Sequence, residues 1–211
     1  IKTLNPTDSF EKKVLKRSGL LLFGVPGSGK TLLAKAIATN FSMNFFSVKG
    51  PELLDMYIGE SESNIRKIFK KAFDNKPCVL FFDELDSIAS KNNSSNMDRV
   101  VAQTLNEIDR VNQSGDLNVF VVGATNRPDL IDDSFTRPGR FDKMIYLGVI
   151  EDMNEKINLL KTLTRKYTMD FAWENVHTFI NEKVPNNLTG ADYQNLVNQV
   201  YNHVVEERIK E

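Results

Sequence analysis

The chain has little of several features that define particular classes of protein. Among its 211 residues there is one cysteine, Cys78, so an internal disulfide is excluded and a reducing, cytosolic compartment is expected. Cys78 borders an apolar run, which favours a role in the core. The only histidines are His177 and His203, whose spacing excludes the H-E-x-x-H site of a metalloprotease. No apolar run approaches the roughly twenty residues of a membrane span and no signal-peptide pattern opens the chain, so we expect no direct membrane insertion.

An excess of charge of one sign is also lacking. The chain has 27 basic and 28 acidic residues, which gives a formal net charge of −1. No overall field therefore draws it to DNA or to an anionic membrane, and the basic stripe of a clamp loader or helicase is missing. We expect no nucleic-acid partner.

A glycine-rich motif follows the apolar run Leu20–Phe23. The pattern G-x-x-x-x-G-K-[ST] of phosphate-binding loops is matched by Gly24, Val25, Pro26, Gly27, Ser28, Gly29, Lys30 and Thr31. A predicted helix follows from Leu32, which we also expect to contribute to nucleotide binding. The glycines let backbone N–H groups surround a phosphate, and the helix adds the positive end of its dipole. We expect Lys30 to reach the β- and γ-phosphates and Thr31 to ligate Mg²⁺. The sequence therefore predicts a nucleoside triphosphate site.

A second, acidic motif predicts hydrolysis. The continuous apolar run Val79–Phe82 is typical of a strand buried on both faces of a parallel sheet, and it ends in Asp83 and Glu84. Carboxylates at the C-terminal end of such a strand face the ligand crevice. We expect Asp83 to hold Mg²⁺ through water and Glu84 to orient and deprotonate the attacking water. A GTPase is disfavoured because no D-x-x-G follows Asp83.

Strands and helices alternate over the first two thirds of the chain. The predicted strands are Leu20–Phe23, Phe45–Val48, Val79–Asp83, Val119–Thr125 and Lys143–Leu147. Apolar residues at helical spacing between them predict amphipathic crossover helices, so the expected fold class is α/β. It is a P-loop NTPase fold with a parallel five-stranded sheet and helices on both faces.

After Leu147 the pattern changes to helices alone. Helices are predicted at Met153–Arg165, Trp173–Lys183 and Ala191–Arg208. The last carries an apolar stripe from Tyr193 to Val205 that we expect to be core, and Thr189–Asp192 has the form of a capping box at its start. The sequence thus predicts a large ATPase domain over 1–148 and a small helical lid over 149–211, which we expect to be truncated.

Taken together, the motifs resemble those of the AAA ATPases within the AAA+ superfamily. The resemblance also rests on the segments Gly123–Pro128, Arg137–Asp142 and Gly190–Asp192. It implies Mg²⁺-dependent hydrolysis of ATP to ADP and phosphate. In this family, Asn126 would be the polar sensor that helps to place the lytic water, and Gly190 and Ala191 would lie near the base and sugar of the nucleotide.

Arg137 and Arg140 match the arginine fingers of this family, which act on the ATP of the neighbouring subunit. Guanidinium groups supplied in trans stabilise the charge that develops on the transferred phosphoryl group in other NTPases. An exposed ion pair is the alternative role for arginines on such a turn. The resemblance therefore implies a hexameric ring of identical or related AAA subunits.

Tyr57, Ile58 and Gly59 resemble the aromatic-hydrophobic-glycine loop that lines the pore of protein-threading AAA rings. A tyrosine offers a rigid apolar face that can grip a polypeptide without reading its sequence. The resemblance therefore implies a polypeptide substrate. The alternative is that Tyr57 fills the core. The segment Lys91–Asn96 corresponds to a second pore loop.

Within the family, phrases such as Phe46–Leu53 and Met97–Val101 resemble the branch that serves peroxisome biogenesis. That branch extracts import receptors from the peroxisomal membrane for recycling, which implies a cytoplasmic protein, peripheral at that membrane. Segregases of the valosin-containing-protein type, which share Phe82–Ala89, are the alternative, as is an ATP-binding scaffold whose hydrolysis has lapsed. The resemblance is weakest at Arg110, which stands where the family commonly has glycine in its intersubunit signalling segment.

Overall fold

The computed structural model describes residues 19–54, 60–90, 95–113, 118–167 and 173–210. Its strands are β1 Leu20–Gly24, β2 Asn44–Lys49, β3 Cys78–Asp83, β4 Val119–Thr125 and β5 Lys143–Leu147. They form one five-stranded parallel sheet in the order β2-β3-β4-β1-β5. The predicted fold class and strands are confirmed, with strand ends that differ by at most one residue.

The helices lie between the strands and after them. They are α1 Lys30–Asn40, α2 Gly50–Leu54, α3 Glu60–Asp74, α4 Ser95–Gln113, α5 Asp133–Thr136, α6 Met153–Thr164, α7 Trp173–Lys183 and α8 Gly190–Lys210. Short 3-10 turns occupy Leu85–Ser87 and Pro128–Leu130. Within the described part of the chain, no helix combines the length and the apolar character that a bilayer crossing demands.

The core of the sheet is centred on β3. Its residues from Cys78 to Phe82 are all buried, and the strand is central, paired in parallel with β2 on one side and β4 on the other. The amphipathic helix α3 covers it, with Phe69 tilted against Phe82 at 5.9 Å between ring centroids. Cys78 is fully buried, as its position in the sequence predicted. This packing fixes the C-terminal edge of the sheet, where the acidic motif lies.

Two compact units divide the chain. The first contains the residues up to Phe23 and Thr31–Tyr146, and the second contains Gly24–Lys30 and the residues from Leu147 onward. The second unit has its own apolar core, formed by Leu160, Ile180, Tyr193 and Val197.

The apolar stripe of α8 departs from prediction over its second half. Tyr193 and Val197 are buried, but Val200, Tyr201 and Val204 are 56%, 48% and 44% exposed. The expectation that the whole stripe is core was therefore wrong. With 21 residues, α8 is longer than the 12-residue α6 and the 11-residue α7, and these supply the rest of the core of its unit. Its last turns extend beyond that core.

Candidate functional site

The phosphate-binding motif forms the turn between β1 and α1. β1 ends at Gly24 and α1 begins at Lys30, which is the strand-turn-helix order that the motif requires. The Lys30 side chain is folded into the turn, where its Nζ donates to the carbonyl oxygens of Gly24 at 3.0 Å and Val25 at 2.8 Å. Nζ also lies 3.3 Å from the Ser28 hydroxyl. The ammonium group is thus held inside the loop.

Gly27 allows the loop to approach the start of α8 within the second unit. Its φ of +78° is a left-handed conformation that favours glycine, and a Cβ there would lie 2.8 Å from Thr189 Oγ1 and 2.9 Å from Ala191 Cβ. The Gly27 carbonyl oxygen accepts from the backbone N–H of Ala191 at 3.2 Å. The family-implied residues Gly190 and Ala191 therefore lie beside the phosphate-binding loop.

The start of α8 is closed by the capping box that the sequence predicted. The Asp192 carboxylate accepts from the Thr189 backbone N–H and from its hydroxyl, both at 2.8 Å. These hydrogen bonds hold the pKa of Asp192 below its usual value, the backbone N–H having the larger effect. The cap closes the first turn of α8, and the Ala191–Gly27 hydrogen bond joins that turn to the loop.

An open pocket of about 510 Å³ lies beside this contact in the second unit. Its lining residues are Val25, Pro26, Gly27, Val149, Asn187, Thr189, Ala191 and Asp192. Sequence reasoning had singled out the loop residues and Ala191 for nucleotide binding. It did not select Val149 and Asn187, which no motif marks, and it treated Thr189 only as a helix cap.

Thr31 and Asp83 meet in the first unit although they are 52 residues apart in the chain. The Thr31 hydroxyl donates to Asp83 Oδ2 at 3.0 Å. Both are oxygen ligands of the kind that Mg²⁺ prefers. Within the described residues, no group of three or more His, Cys, Asp or Glu side chains could by itself hold a metal. This arrangement suits Mg²⁺, which is commonly held by one or two protein oxygens, water and substrate phosphates.

Glu84 has a backbone conformation that residues with a Cβ seldom adopt. Its φ of 53° and ψ of 47° lie in the left-handed region. The peptide is fixed on both sides, because its N–H donates to Asp83 Oδ1 at 3.0 Å and its carbonyl oxygen accepts from the Ser87 hydroxyl at 2.8 Å. The Glu84 side chain is exposed and has no ion-pair partner among the described residues. Non-glycine residues in this conformation cluster at functional sites.

Asn126 follows β4, the strand next to β3 in the sheet. The buried Thr125 hydroxyl donates to Asp86 Oδ1 at 2.6 Å and accepts from the Arg127 backbone N–H at 2.9 Å. The exposed Asn126 thus lies between two residues that are held through one hydroxyl. Asp86 and Thr125 were not predicted as site residues, because Asp86 lies in the 3-10 turn after β3 and Thr125 ends β4, and only the folded chain brings them together.

The two arginines of the predicted finger turn have different surroundings. The Arg137 side chain is exposed and forms no ion pair with any residue that the structure describes. Arg140 is 19% exposed, and its Nε and Nη2 donate to the two carboxylate oxygens of Asp109 at 2.8 and 2.6 Å. The hydrogen bonds to Asp109 raise the pKa of Arg140. The sequence had predicted equivalent roles for the pair.

The predicted pore-loop residues Tyr57, Ile58 and Gly59 lie outside the described residues. Of the proposed second pore loop, Lys91–Asn96, only the last two positions are described, as the start of α4. The expected gripping role of Tyr57 therefore stays a prediction.

Comparison with known families decides the assignment. The family described as "ATPase family associated with various cellular activities (AAA)" matches residues 20–149. The chain belongs to the AAA ATPase family. This confirms the resemblance seen in the motifs and the prediction of ATP hydrolysis.

The chain is also similar to curated proteins of this family from fungi. It is 55% identical over 195 residues to the Peroxisomal ATPase PEX6 of Kluyveromyces lactis, covering 90% of this chain and 19% of that protein. It is 58% identical over 166 residues to the Peroxisomal ATPase PEX6 of Eremothecium gossypii, covering 76% and 16%. The chain thus spans less than a fifth of the length of these relatives.

Proposed function

We propose that this chain is the motor module of a hexameric AAA ring that extracts or threads polypeptides, and that it serves the recycling of peroxisomal import receptors. The observation that carries the proposal is the identity of 52–58% to peroxisomal ATPases from several fungi. This similarity favours the peroxisomal branch over segregases of the valosin-containing-protein type. Membership of an ATPase family, with the hydrolysis motifs intact, also speaks against a scaffold that only binds ATP.

In the proposed reaction the chain binds ATP with its phosphate-binding loop. Lys30 supplies the positive charge for the terminal phosphates, and Thr31 and Asp83 supply the oxygens that would hold Mg²⁺. When bound, Mg²⁺ would neutralise negative charge on the terminal phosphates. The pocket beside Gly27 and Ala191 suits the base and sugar.

Glu84 acts as the general base. Its carboxylate accepts a proton from water while the water oxygen bonds to the γ-phosphorus and the bond from this phosphorus to the ADP oxygen breaks. The exposed, unpaired side chain of Glu84 is available for this step, and the fixed peptide on either side limits its position. Asn126, held between Thr125 and Arg127, helps to place the water.

The turn that carries Arg137 and Arg140 acts on the ATP of the next subunit. Cationic hydrogen-bond donors stabilise the charge that develops on the γ-phosphoryl group. An exposed arginine on a turn that is held by hydrogen bonds can place such donors at the ATP of a neighbouring subunit. Hydrolysis then depends on assembly with identical or related AAA subunits. Tyr57, Ile58 and Gly59 line the central pore and grip the polypeptide.

A cellular experiment tests the peroxisomal role. In a cell that depends on the full-length protein, Glu84→Gln is expected to stop import of a fluorescent matrix protein and to leave ubiquitinated import receptor at the peroxisomal membrane. Asp98→Asn, at an exposed carboxylate on α4, is the matched control and is expected to import normally. Normal import with Glu84→Gln would contradict the proposal.

A further inference from the structure

The pocket beside the phosphate-binding loop is lined by three polar side chains, which belong to Asn187, Thr189 and Asp192. The Thr189 hydroxyl donates to the Asp192 carboxylate at 2.8 Å, so these two side chains bind each other. The exposed Asn187 amide, in contrast, forms no hydrogen bond with any residue that the structure describes. An amide has two N–H donors and an acceptor oxygen. Asn187 can therefore offer both kinds of group to a ligand in this pocket.

The turn that carries Asn187 is held on both sides of this residue. On one side, Asn186 Oδ1 accepts from Nζ of Lys156 on α6 at 2.8 Å. On the other side, the Leu188 carbonyl oxygen accepts from the Ile150 backbone N–H in a longer contact of 3.5 Å. The neighbours of Asn187 therefore fix its backbone, while its own side chain remains available.

Lys156 is a buried cation with little compensation. Its residue is only 2% exposed, and no carboxylate pairs with it among the described residues. Lysines are rarely buried to this extent without a partner, because an ammonium group loses its hydration. The hydrogen bond to Asn186 is thus costly to break, since it would leave the buried ammonium without this acceptor. Lys156 therefore favours one arrangement of the turn.

The chemistry of the pocket suits an adenine base. Val25, Pro26 and Val149 provide apolar surface for the flat faces of a purine. The Asn187 amide has a donor beside an acceptor, which matches N7 and the N6 amino group of adenine. Guanine has acceptors at both of these positions, so it would leave the amide oxygen opposite another acceptor.

We infer that Asn187 is a specificity-determining residue that selects the adenine base of ATP, and that Lys156 is a positioning residue that holds it in place through Asn186. The inference rests on the proposed function, in which this pocket receives the base and sugar. It assigns a role to two residues that belong to none of the motifs of the chain.

Nucleotide analogues test the role of Asn187 in the full-length protein. Every protein in the series carries Glu84→Gln, so calorimetry measures affinity without turnover. With Asn187 present, GTP is expected to bind about 10-fold or more weakly than ATP. The analogues 7-deaza-ATP, which lacks N7, and purine riboside triphosphate, which lacks the N6 amino group, should each bind about fivefold more weakly.

The Asn187→Ala variant should lose this selectivity. ATP affinity is expected to fall by about 10-fold, and ATP, GTP and both analogues should then bind within about threefold of one another. The exposed position of Asn187 makes this variant a mild one for the fold. A preference for ATP over GTP that falls by less than about threefold would overturn the inference.

A second series tests the positioning role of Lys156. Lys156→Met fills the buried space with a chain of similar length but cannot donate to Asn186, so it should reduce the preference for ATP over GTP as Asn187→Ala does. The double variant should lose no more than either single one. Lys156→Arg retains a donor and should retain the preference, and Lys183→Met, at an exposed lysine that ends α7, is the matched control.

Thermal melting checks that these variants are folded. If Lys156→Met does not fold, Asn186→Ala removes the acceptor instead and replaces it in the comparison. A folded variant that keeps the full preference for ATP would show that Lys156 supports only the fold, and this result would overturn its positioning role.

Lys30→Ala separates this inference from the proposed function. It should remove one bound ATP per chain, because Lys30 supplies charge for the terminal phosphates. Undiminished ATP binding by Lys30→Ala would contradict the proposed nucleotide site itself. If Lys30→Ala loses this ATP while Asn187→Ala keeps the preference for ATP over GTP, the site binds nucleotide and only the role of Asn187 is refuted.

Discussion

Glu84 lies in a left-handed conformation that a glycine would adopt at lower cost. For a residue with a Cβ, this backbone conformation costs about 1–2 kcal/mol. Glycine removes that strain. Because glycine has more conformational freedom in the unfolded chain, about 0.5–1 kcal/mol of this stabilisation is lost again. The exposed Glu84 side chain has no ion pair among the described residues, so little else is lost. We therefore expect Glu84→Gly to raise the free energy of unfolding by about 0.5–1 kcal/mol, worked from its φ of 53°.

The same substitution is expected to remove ATP hydrolysis, because no carboxylate remains to accept the proton of water. A missing general base typically lowers kcat by about 10²–10⁴-fold. Glu84→Gln is the matched control, since it also lacks the base but keeps the strained backbone. It should lose turnover to the same extent while melting at the wild-type temperature. ATP affinity, measured by calorimetry, should be retained in both variants because the phosphate-binding loop is intact.

Thermal unfolding compares the two variants directly. For a chain of this size a gain of 1 kcal/mol corresponds to a rise in Tm of about 2–4 °C, so the Glu84→Gly variant should melt one to a few degrees above the Glu84→Gln variant. If the glycine variant melts at or below the glutamine variant, the left-handed conformation stores no strain. Turnover by Glu84→Gln at the wild-type rate would remove Glu84 from the mechanism.

Three further perturbations test the packing and hydrogen bonding of described residues. The hydroxyl of Tyr193 is buried and has no hydrogen-bond partner in the described structure, so Tyr193→Phe should raise the free energy of unfolding in urea by about 1 kcal/mol, and a loss of stability would mean that the hydroxyl is bonded. Burial raises the pKa of the Cys78 thiol to about 11, so iodoacetamide at pH 8 should label it only after unfolding. The unfolded thiol loses its proton first, so stability should fall as pH rises from about 9 towards 11, and Cys78→Ala should lack this fall. Thr125→Val removes the hydroxyl that joins Asp86 to the Arg127 backbone N–H and so holds the residues on either side of Asn126. Because Asn126 is then less well placed, kcat should fall by about tenfold, equal to about 1.4 kcal/mol, with an unchanged KM for ATP. Thr125→Ser should retain the wild-type kcat, and equal losses in both variants would argue against the hydroxyl.

The sheet could be predicted from the sequence because its strands are buried on both faces. Such strands appear as continuous apolar runs, and the run at Val79–Phe82 is extended in the structure only by Cys78 and Asp83. The second half of α8 could not be predicted in the same way. Helical spacing identifies an apolar face, but the length of the neighbouring helices decides how far that face is covered.

In the candidate site, residues within short motifs could be predicted, whereas contacts between distant residues could not. Thr31 and Asp83 belong to short motifs whose chemistry requires them to meet, and the structure brings them within 3.0 Å. The pairs Asp86 with Thr125 and Asp109 with Arg140 belong to no local pattern, since they join residues 39 and 31 positions apart. Strand register and helix placement create these contacts. Sequence reasoning therefore found the residues proposed to bind ATP more readily than those that hold them in place.

The proposed threading function is tested most directly at the predicted pore loop. Tyr57 lies outside the described residues, between β2 and α3 in the chain, so a functional assay must decide its role. If it grips polypeptide, Tyr57→Ala in the full-length ring should leave ATP hydrolysis largely intact and stop the unfolding of a fluorescent client, because a residue that grips the client takes no part in the chemical step. Tyr57→Phe keeps the rigid ring and should still unfold the client. If Tyr57 is instead part of the core, Tyr57→Ala should lower the free energy of unfolding by about 3–5 kcal/mol, the cost of deleting a buried aromatic side chain. Such a loss in thermal melting, or normal client unfolding by the alanine variant, would show that Tyr57 does not grip the client.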